Sequence, residues 1–264
     1  MTRTVTMSDH PYLPPEIFDH IIDFLHNDPD TLKQCCLVSK SWVPRTRKYL
    51  FAHIRFQSRD SLKLWRKAFP DPTNSPAHHA HTLTLGRALI DARDGRWIRG
   101  FSHVERLGFV LPGPTHSTIH IPFATLLRLS STVKCLFVTF NVPHPHMFNL
   151  IRSLPLLEDL TLSGHDIILT NTGFGAIQAP IKSASPPLTG CLELYLFEGE
   201  TLETTRQLLA LPGGLHPRKL RLWCGGDDPI WVGQLVAACS DTVEHLEIAC
   251  ETNRTPSPVP PLEL

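Results

Sequence analysis

From residue 15 the apolar positions recur at helical spacing: Ile17, Ile21, Phe24 and Leu25 make one stripe, and Phe18 and Ile22 a second beside it. Leu13-Pro14-Pro15-Glu16 opens this helix, because proline suits a first turn and Glu16 and Asp19 suit the positive end of the dipole. Asn27-Asp28-Pro29 ends it. Asp28 or Asp30 is positioned to cap a second helix carrying Leu32, Cys35, Cys36 and Val38. Ser39 or Ser41 can cap a third, with Trp42, Val43, Tyr49 and Leu50, where Pro44 falls in the tolerated first turn. Three short helices in about forty residues form a marginal core by themselves. The apolar arc of the first helix is wider than one packing partner needs, so its surplus reads as an interface.

After residue 52 the period changes. His53-Ile54-Arg55-Phe56 alternates like a strand, and Ser58 or Asp60 can cap a helix with Leu62, Trp65, Ala68 and Phe69 on one side, placed to seal the open end of the C-terminal region. Asp71 to Pro76 reads as a turn. A motif of the form apolar-x-x-Leu-x-apolar then recurs at Val104/Leu107/Phe109, Val133/Leu136/Val138, Leu157/Leu160/Leu162, Cys191/Leu194/Leu196 and Val243/Leu246/Ile248, with weaker copies at Ala80/Leu83/Leu85 and Pro217/Leu220/Leu222. Its central leucines are 24, 29, 24, 34, 26 and 26 residues apart. Residues two apart share one face of a strand, so parallel stacking of these strands buries a continuous leucine ladder. Residues 146–153, 202–211 and 230–239 have helical patterns and supply return paths. The fold class is therefore α/β with a parallel sheet. The intervening side chains, Arg106, Phe137, Asp159, Tyr195, Phe197, Lys219, Arg221, Trp223, His245 and Glu247, face away from the ladder. Aromatics and arginine are enriched at binding hot spots, which makes Phe137, Tyr195, Phe197, Arg221 and Trp223 the candidate target-binding residues. Packing of Phe197 and Trp223 under neighbouring loops is the competing account.

Composition narrows the function. Of 264 residues 42% are hydrophobic, and 25 Lys and Arg balance 25 Asp and Glu, so no field of one sign attracts nucleic acid or an anionic membrane. Nothing approaches the roughly 18 uninterrupted apolar residues of a membrane span, and residues 1–10 lack the apolar run of a signal peptide. Seven scattered cysteines, an odd number, suit free thiols of a reducing compartment, so a cytoplasmic or nuclear location is expected and the Asn253 sequon is incidental. His78-His79-Ala80-His81 and His144-Pro145-His146 lack cysteine partners at zinc spacing, and Gly173-Phe174-Gly175 lacks the third glycine of a dinucleotide loop. Cys35 and Cys36 are adjacent, not Cys-x-x-Cys. No nucleophile elbow, Walker motif or His-Glu-x-x-His occurs, so no catalytic residue, metal or cofactor is assigned.

The string Leu13-Pro14-Pro15-Glu16-Ile17, then Ile21-Ile22, Leu25, Leu32, Cys35-Cys36-Leu37-Val38-Ser39-Lys40-Ser41-Trp42 and Leu50-Phe51, resembles an F-box, in particular the form found in large fungal families. Ser39 departs from it, standing where many F-boxes carry cysteine. The resemblance implies a non-catalytic subunit that docks on the Skp-family adaptor, and through it a cullin, of an SCF-type ubiquitin ligase. It implies adaptor contacts at Leu13, Pro14, Ile17, Ile21, Leu25, Leu32, Val38 and Trp42. The later array resembles the irregular leucine-rich repeats that follow many F-boxes, a solenoid binding a protein target. It departs in repeat length and in its asparagine ladder, of which only Asn141 is present. The implied organisation is a disordered leader 1–10, an F-box 11–52, a connecting strand, helix and loop 53–80, repeats 81–251 with an insertion loop from Thr170 to Pro187, and a flexible tail 252–264. Leu262-Glu263-Leu264 begins a pattern that the chain does not finish, so truncation is expected. The residues also leave open a leucine-rich interaction module outside the ubiquitin system, with the first helices only a cap, and a compact mixed α/β domain.

Overall fold

The computed structural model describes residues 14–86, 95–110, 126, 129–140, 145–164, 187–196, 201–225 and 230–251. The chain divides after Ala52 into two compact units. The first holds α1 (Pro15–Phe24), α2 (Pro29–Val38) and α3 (Val43–Leu50). Proline sits in the first turn of each. Asp28 caps α2, accepting from the Thr31 amide at 3.0 Å and its hydroxyl at 2.6 Å. Neither Ser39 nor Ser41 caps α3: their hydroxyls bond each other at 2.8 Å, and Trp42, already helical in backbone, is the N-cap. The interior gathers Ile22, Leu32, Cys35 and Thr46. The Thr46 hydroxyl donates to Trp42 O at 2.9 Å and lies 2.9 Å from Cys36 Sγ, which joins α3 to α2.

The second unit is built on eight parallel strands in chain order: β1 (His53–Phe56), β2 (Thr82–Leu85), β3 (Arg106–Val110), β4 (Cys135–Phe140), β5 (Asp159–Gly164), β6 (Cys191–Leu196), β7 (Lys219–Gly225) and β8 (His245–Glu251). Its helices are α4 (Arg59–Ala68), α5 (Gly95–Ile98), α6 (Pro145–Arg152), α7 (Thr201–Leu209) and α8 (Ile230–Cys239). The insertion loop expected from Thr170 to Pro187, save Pro187 itself, and the tail expected at 252–264 lie outside the described residues.

Register defines the ladder as Ile54, Leu83, Leu107, Leu136, Leu160, Leu192, Leu220 and Leu246. Two expectations from sequence are corrected by it. In β6 the residue aligned with Leu160 is Leu192, two before the Leu194 that the motif selects. A slip of two keeps every side chain on its face, so the apolar pattern alone could not detect it. And 53–80 is no mere connector, because Ile54 is the first rung of the sheet.

A backbone hitch confirms the register. From β2 onward the carbonyl two residues before a rung accepts two successive amides at the start of the next strand: His81 O takes Glu105 N and Arg106 N at 2.9 and 3.0 Å, and Glu105, Lys134 (serving β5), Gly190 and Arg218 do likewise. At β6 one bond is replaced. Glu158 O takes Gly190 N at 2.9 Å, and Asp159 Oδ1 takes Cys191 N at 2.8 Å. A Cβ at residue 190 would collide with that carboxylate and lie 2.7 Å from Glu158 O, so the crossing requires glycine.

From Leu83 to Leu220 the ladder leucines are buried, as are Met147, Phe148, Leu150 and Ile151 of α6, Leu208 of α7, and Trp231, Val232, Leu235 and Cys239 of α8. Parallel strands added in order need crossovers, which helices supply while covering the ladder. Arg152 on α6 donates to Gln207 on α7 at 2.9 Å, and Gln207 donates to Glu203 at 2.7 Å, so this buried side contains a satisfied polar relay. The two edges differ. At β1, Phe56 meets Trp65 of α4 edge-on with centroids 5.7 Å apart, and Ser58 fixes α4 through a reciprocal cap with Ser61. At β8, Leu246 and Ile248 are 49% and 45% exposed.

Candidate protein-interaction surfaces

At about 100° per residue, Ile17, Ile21 and Phe24 share one side of α1 while Phe18, Ile22 and Leu25 share the next. The second side turns inward: Ile22 is buried, Leu25 is half-buried, and Phe18 packs on Trp42 with centroids 5.2 Å apart. The first side is open, with Ile17 at 43%, Ile21 at 44% and Phe24 at 88% exposure. Of the adaptor-contact residues expected from sequence, Pro14, Ile17, Ile21 and Val38 are exposed and Leu25 and Trp42 half-buried. Leu13 lies outside the described residues. Leu32 is a correction: at 1% exposure, beside buried Cys35, it packs the interior and presents no surface. Phe24 and Leu37 are exposed apolar residues missing from the expected set. Phe24 was readable, since it shares the stripe of Ile17 and Ile21. Leu37 was not, because 35–38 is an unbroken apolar run without a period.

This face is held by a charged clasp behind it. Arg45 on α3 grips Asp23 on α1 with Nε on Oδ1 at 2.6 Å and Nη2 on Oδ2, while Tyr49 Oη donates to Oδ1 at 2.7 Å. The guanidinium and then the phenol hold the Asp23 carboxyl far below the usual carboxylate range, and the same bonds raise Arg45 and Tyr49. Asp23 and Arg45 are thus structural partners that tie α1 to α3.

On the sheet, the face opposite the ladder is buried at Thr82, Thr84 and Thr139 and opens toward β6 to β8. There Tyr195 and Trp223 pair in register and stack, centroids 4.1 Å apart and planes 11° from parallel. One row below, Arg221 bridges two carboxylates: Nη1 reaches Glu193 Oε1 at 2.6 Å and Nε reaches Glu247 Oε2 at 3.2 Å. The Glu193 bond raises the Arg221 guanidinium pKa further. Burial raises the Tyr195 phenol, with Glu193 adding to it. Sequence reasoning named Tyr195, Arg221 and Trp223, and the structure joins them on adjacent strands. Half-buried Phe137 shares Arg221's row on β4, three strands away, and Phe197 lies outside the described residues. Glu193, which completes the ion-paired row, was absent from the expected set, although strand parity places it on the same face as Tyr195.

Cys135 and Cys191 lie on the same face, each pushed up to about 11, chiefly by burial and then by acidic neighbours Asp159 and Glu193 respectively, so both remain thiols at neutral pH. Among the described residues no three His, Cys, Asp or Glu side chains converge to hold a metal, and no helix is long and apolar enough to cross a membrane. The geometry leaves two exposed surfaces, one apolar and helical, the other aromatic and ion-paired on a parallel sheet. No protein-family model matches the chain, and no curated protein or solved structure does.

Proposed function

We propose that this chain is the target-recognition subunit of an SCF-type cullin-RING ubiquitin ligase. In this reading α1 to α3 are an F-box that docks on the Skp-family adaptor in the cytosol or nucleus. The sheet unit is an irregular leucine-rich-repeat solenoid whose open face holds a protein target. The observation that carries the reading is the apolar side of α1, with Ile17, Ile21 and Phe24 left uncovered on a separate unit of about fifty residues. Such a unit gains most from a partner that covers this side. The in-order parallel sheet and its ladder support the solenoid reading. Tyr195, Arg221 and Trp223 are the proposed anchor for the target, an aromatic pair beside a guanidinium already fixed by two carboxylates. The chain itself contributes no reacting group: tethering raises the effective concentration of target, and ubiquitin transfer occurs on other subunits.

Capture on immobilised Skp adaptor tests this. Wild-type chain is retained and the Leu13→Ala/Pro14→Ala variant is not. Absence of capture at micromolar concentration removes the proposal and leaves a recognition module outside the ubiquitin system.

A further inference from the structure

Cys224 and Cys250 occupy the same register position on β7 and β8. Both follow the ladder parity, two residues beyond Leu222 and Ile248, so they point to the same side of the sheet. In-register neighbours lie about 4.8 Å apart, inside the Cα separation that a disulfide spans. Their sulfurs are already in contact, Sγ to Sγ 2.7 Å. Cys224 is buried and Cys250 exposed. No other cysteine pair in the sheet has this arrangement. Cys135 and Cys191 share a face, but β5 stands between their strands. Cys239 is buried on α8.

We propose that Cys224 and Cys250 are a disulfide-forming modification site, oxidised by hydrogen peroxide, that fastens the last strand to the sheet. The exposed Cys250 thiolate attacks one peroxide oxygen. The S–O bond forms as O–O breaks, the sulfur is oxidised to sulfenic acid, and the departing hydroxide takes up a proton as water. The Cys224 sulfur then attacks the Cys250 sulfur. The S–S bond forms, S–O breaks, and the leaving hydroxide collects the Cys224 proton as a second water. Two thiols and one peroxide give one disulfide and two waters. Burial holds the Cys224 thiol up at about 11, which suits it to the second step, against a sulfur already in contact, and not to the first.

The bond would act where the sheet is least secured. Among the described residues β8 pairs only with β7, and its rung side chains Leu246 and Ile248 are half-exposed, the exposed-edge condition under which strands fray. Closing the segment between the two cysteines restricts the unfolded chain and raises the unfolding midpoint of the sheet unit by roughly 5–10 °C.

The test treats the full native chain with hydrogen peroxide, alkylates the remaining thiols and digests after acidic residues. Asp227, Asp241, Glu244 and Glu247 separate Cys224 from Cys250, whereas no Lys or Arg lies between them. The expected product is a Cys224–Cys250 cross-linked peptide and an intact mass lower by about 2 Da, the two lost hydrogens. Cys250→Ser and Cys224→Ser abolish it, Cys239→Ser keeps it, and the oxidised wild type melts higher than its reduced form. Cys250→Ser, at an exposed position, melts with the reduced wild type. The inference is overturned if both cysteines remain alkylatable while other thiols oxidise, if Cys250 pairs with Cys239, or if the yield is equal in chain unfolded by urea.

Discussion

Asp23 shows most plainly how single residues set the behaviour of the small unit. Its carboxylate accepts from Arg45 and Tyr49, so its pKa is depressed in the folded state. A depressed carboxylate contributes stability that is full above its unfolded value, near 3.9, and is lost as pH falls through the folded one. The calorimetric transition of residues 1–52 should therefore move to lower temperature as pH drops below about 4. Asp23→Asn should start lower and lose part of that dependence. Asp28, lowered by Thr31 at the α2 cap, retains its share. Gly190 makes the matching point for the sheet. Gly190→Ala must displace the Asp159 carboxylate or the Glu158 carbonyl and should cost on the order of 1–3 kcal/mol in urea unfolding. Gly233, in the middle of α8, has open space where a Cβ would stand, so Gly233→Ala should stabilise by about 0.5–1 kcal/mol in the same assay.

Among elements, the strands were legible because period 2 and the recurring leucine coincide. Helices α6, α7 and α8 fall within a residue or two of the predicted segments. What sequence could not supply was register. Cys191-Leu192-Glu193-Leu194-Tyr195-Leu196 offers three alternating leucines, and the choice among them is made by Gly190 and Asp159 at the crossing from β5. β1 went unrecognised as a rung because Ile54 replaces leucine and the apolar residue three earlier, Phe51, belongs to the first unit. Helix α1 was read as amphipathic, but which apolar side turns inward depended on Trp42 and the Asp23–Arg45 clasp. Burial now separates equivalent-looking leucines. Leu160→Ala removes a fully buried rung and should cost about 2–5 kcal/mol. Leu246→Ala, half-exposed on β8, should cost well under half as much in the same urea titration.

For the whole molecule, the division after Ala52 gives two units with different uncovered surfaces. An apolar helix side is uncovered on one unit, and an aromatic pair with an ion-paired arginine is uncovered on the other. The candidate site was legible to the extent that it rested on apolar spacing, as at Ile17 and Ile21. It failed where burial decides, as at Leu32. The face carrying Tyr195, Arg221 and Trp223 was legible from strand parity alone, since a slip of two leaves them on their side. The proposed function stands or falls on docking of α1 to α3 to the Skp adaptor, which titration calorimetry of the full chain with purified adaptor measures without intermediaries. Docking predicts one-to-one binding with a Kd of about 1 µM or tighter, roughly 8 kcal/mol. In Ile17→Asp/Ile21→Asp, whose melting is unchanged, that binding is abolished. Wild-type chain that gives no heat and no complex at tens of micromolar, or a variant that binds as tightly as wild type, would contradict it.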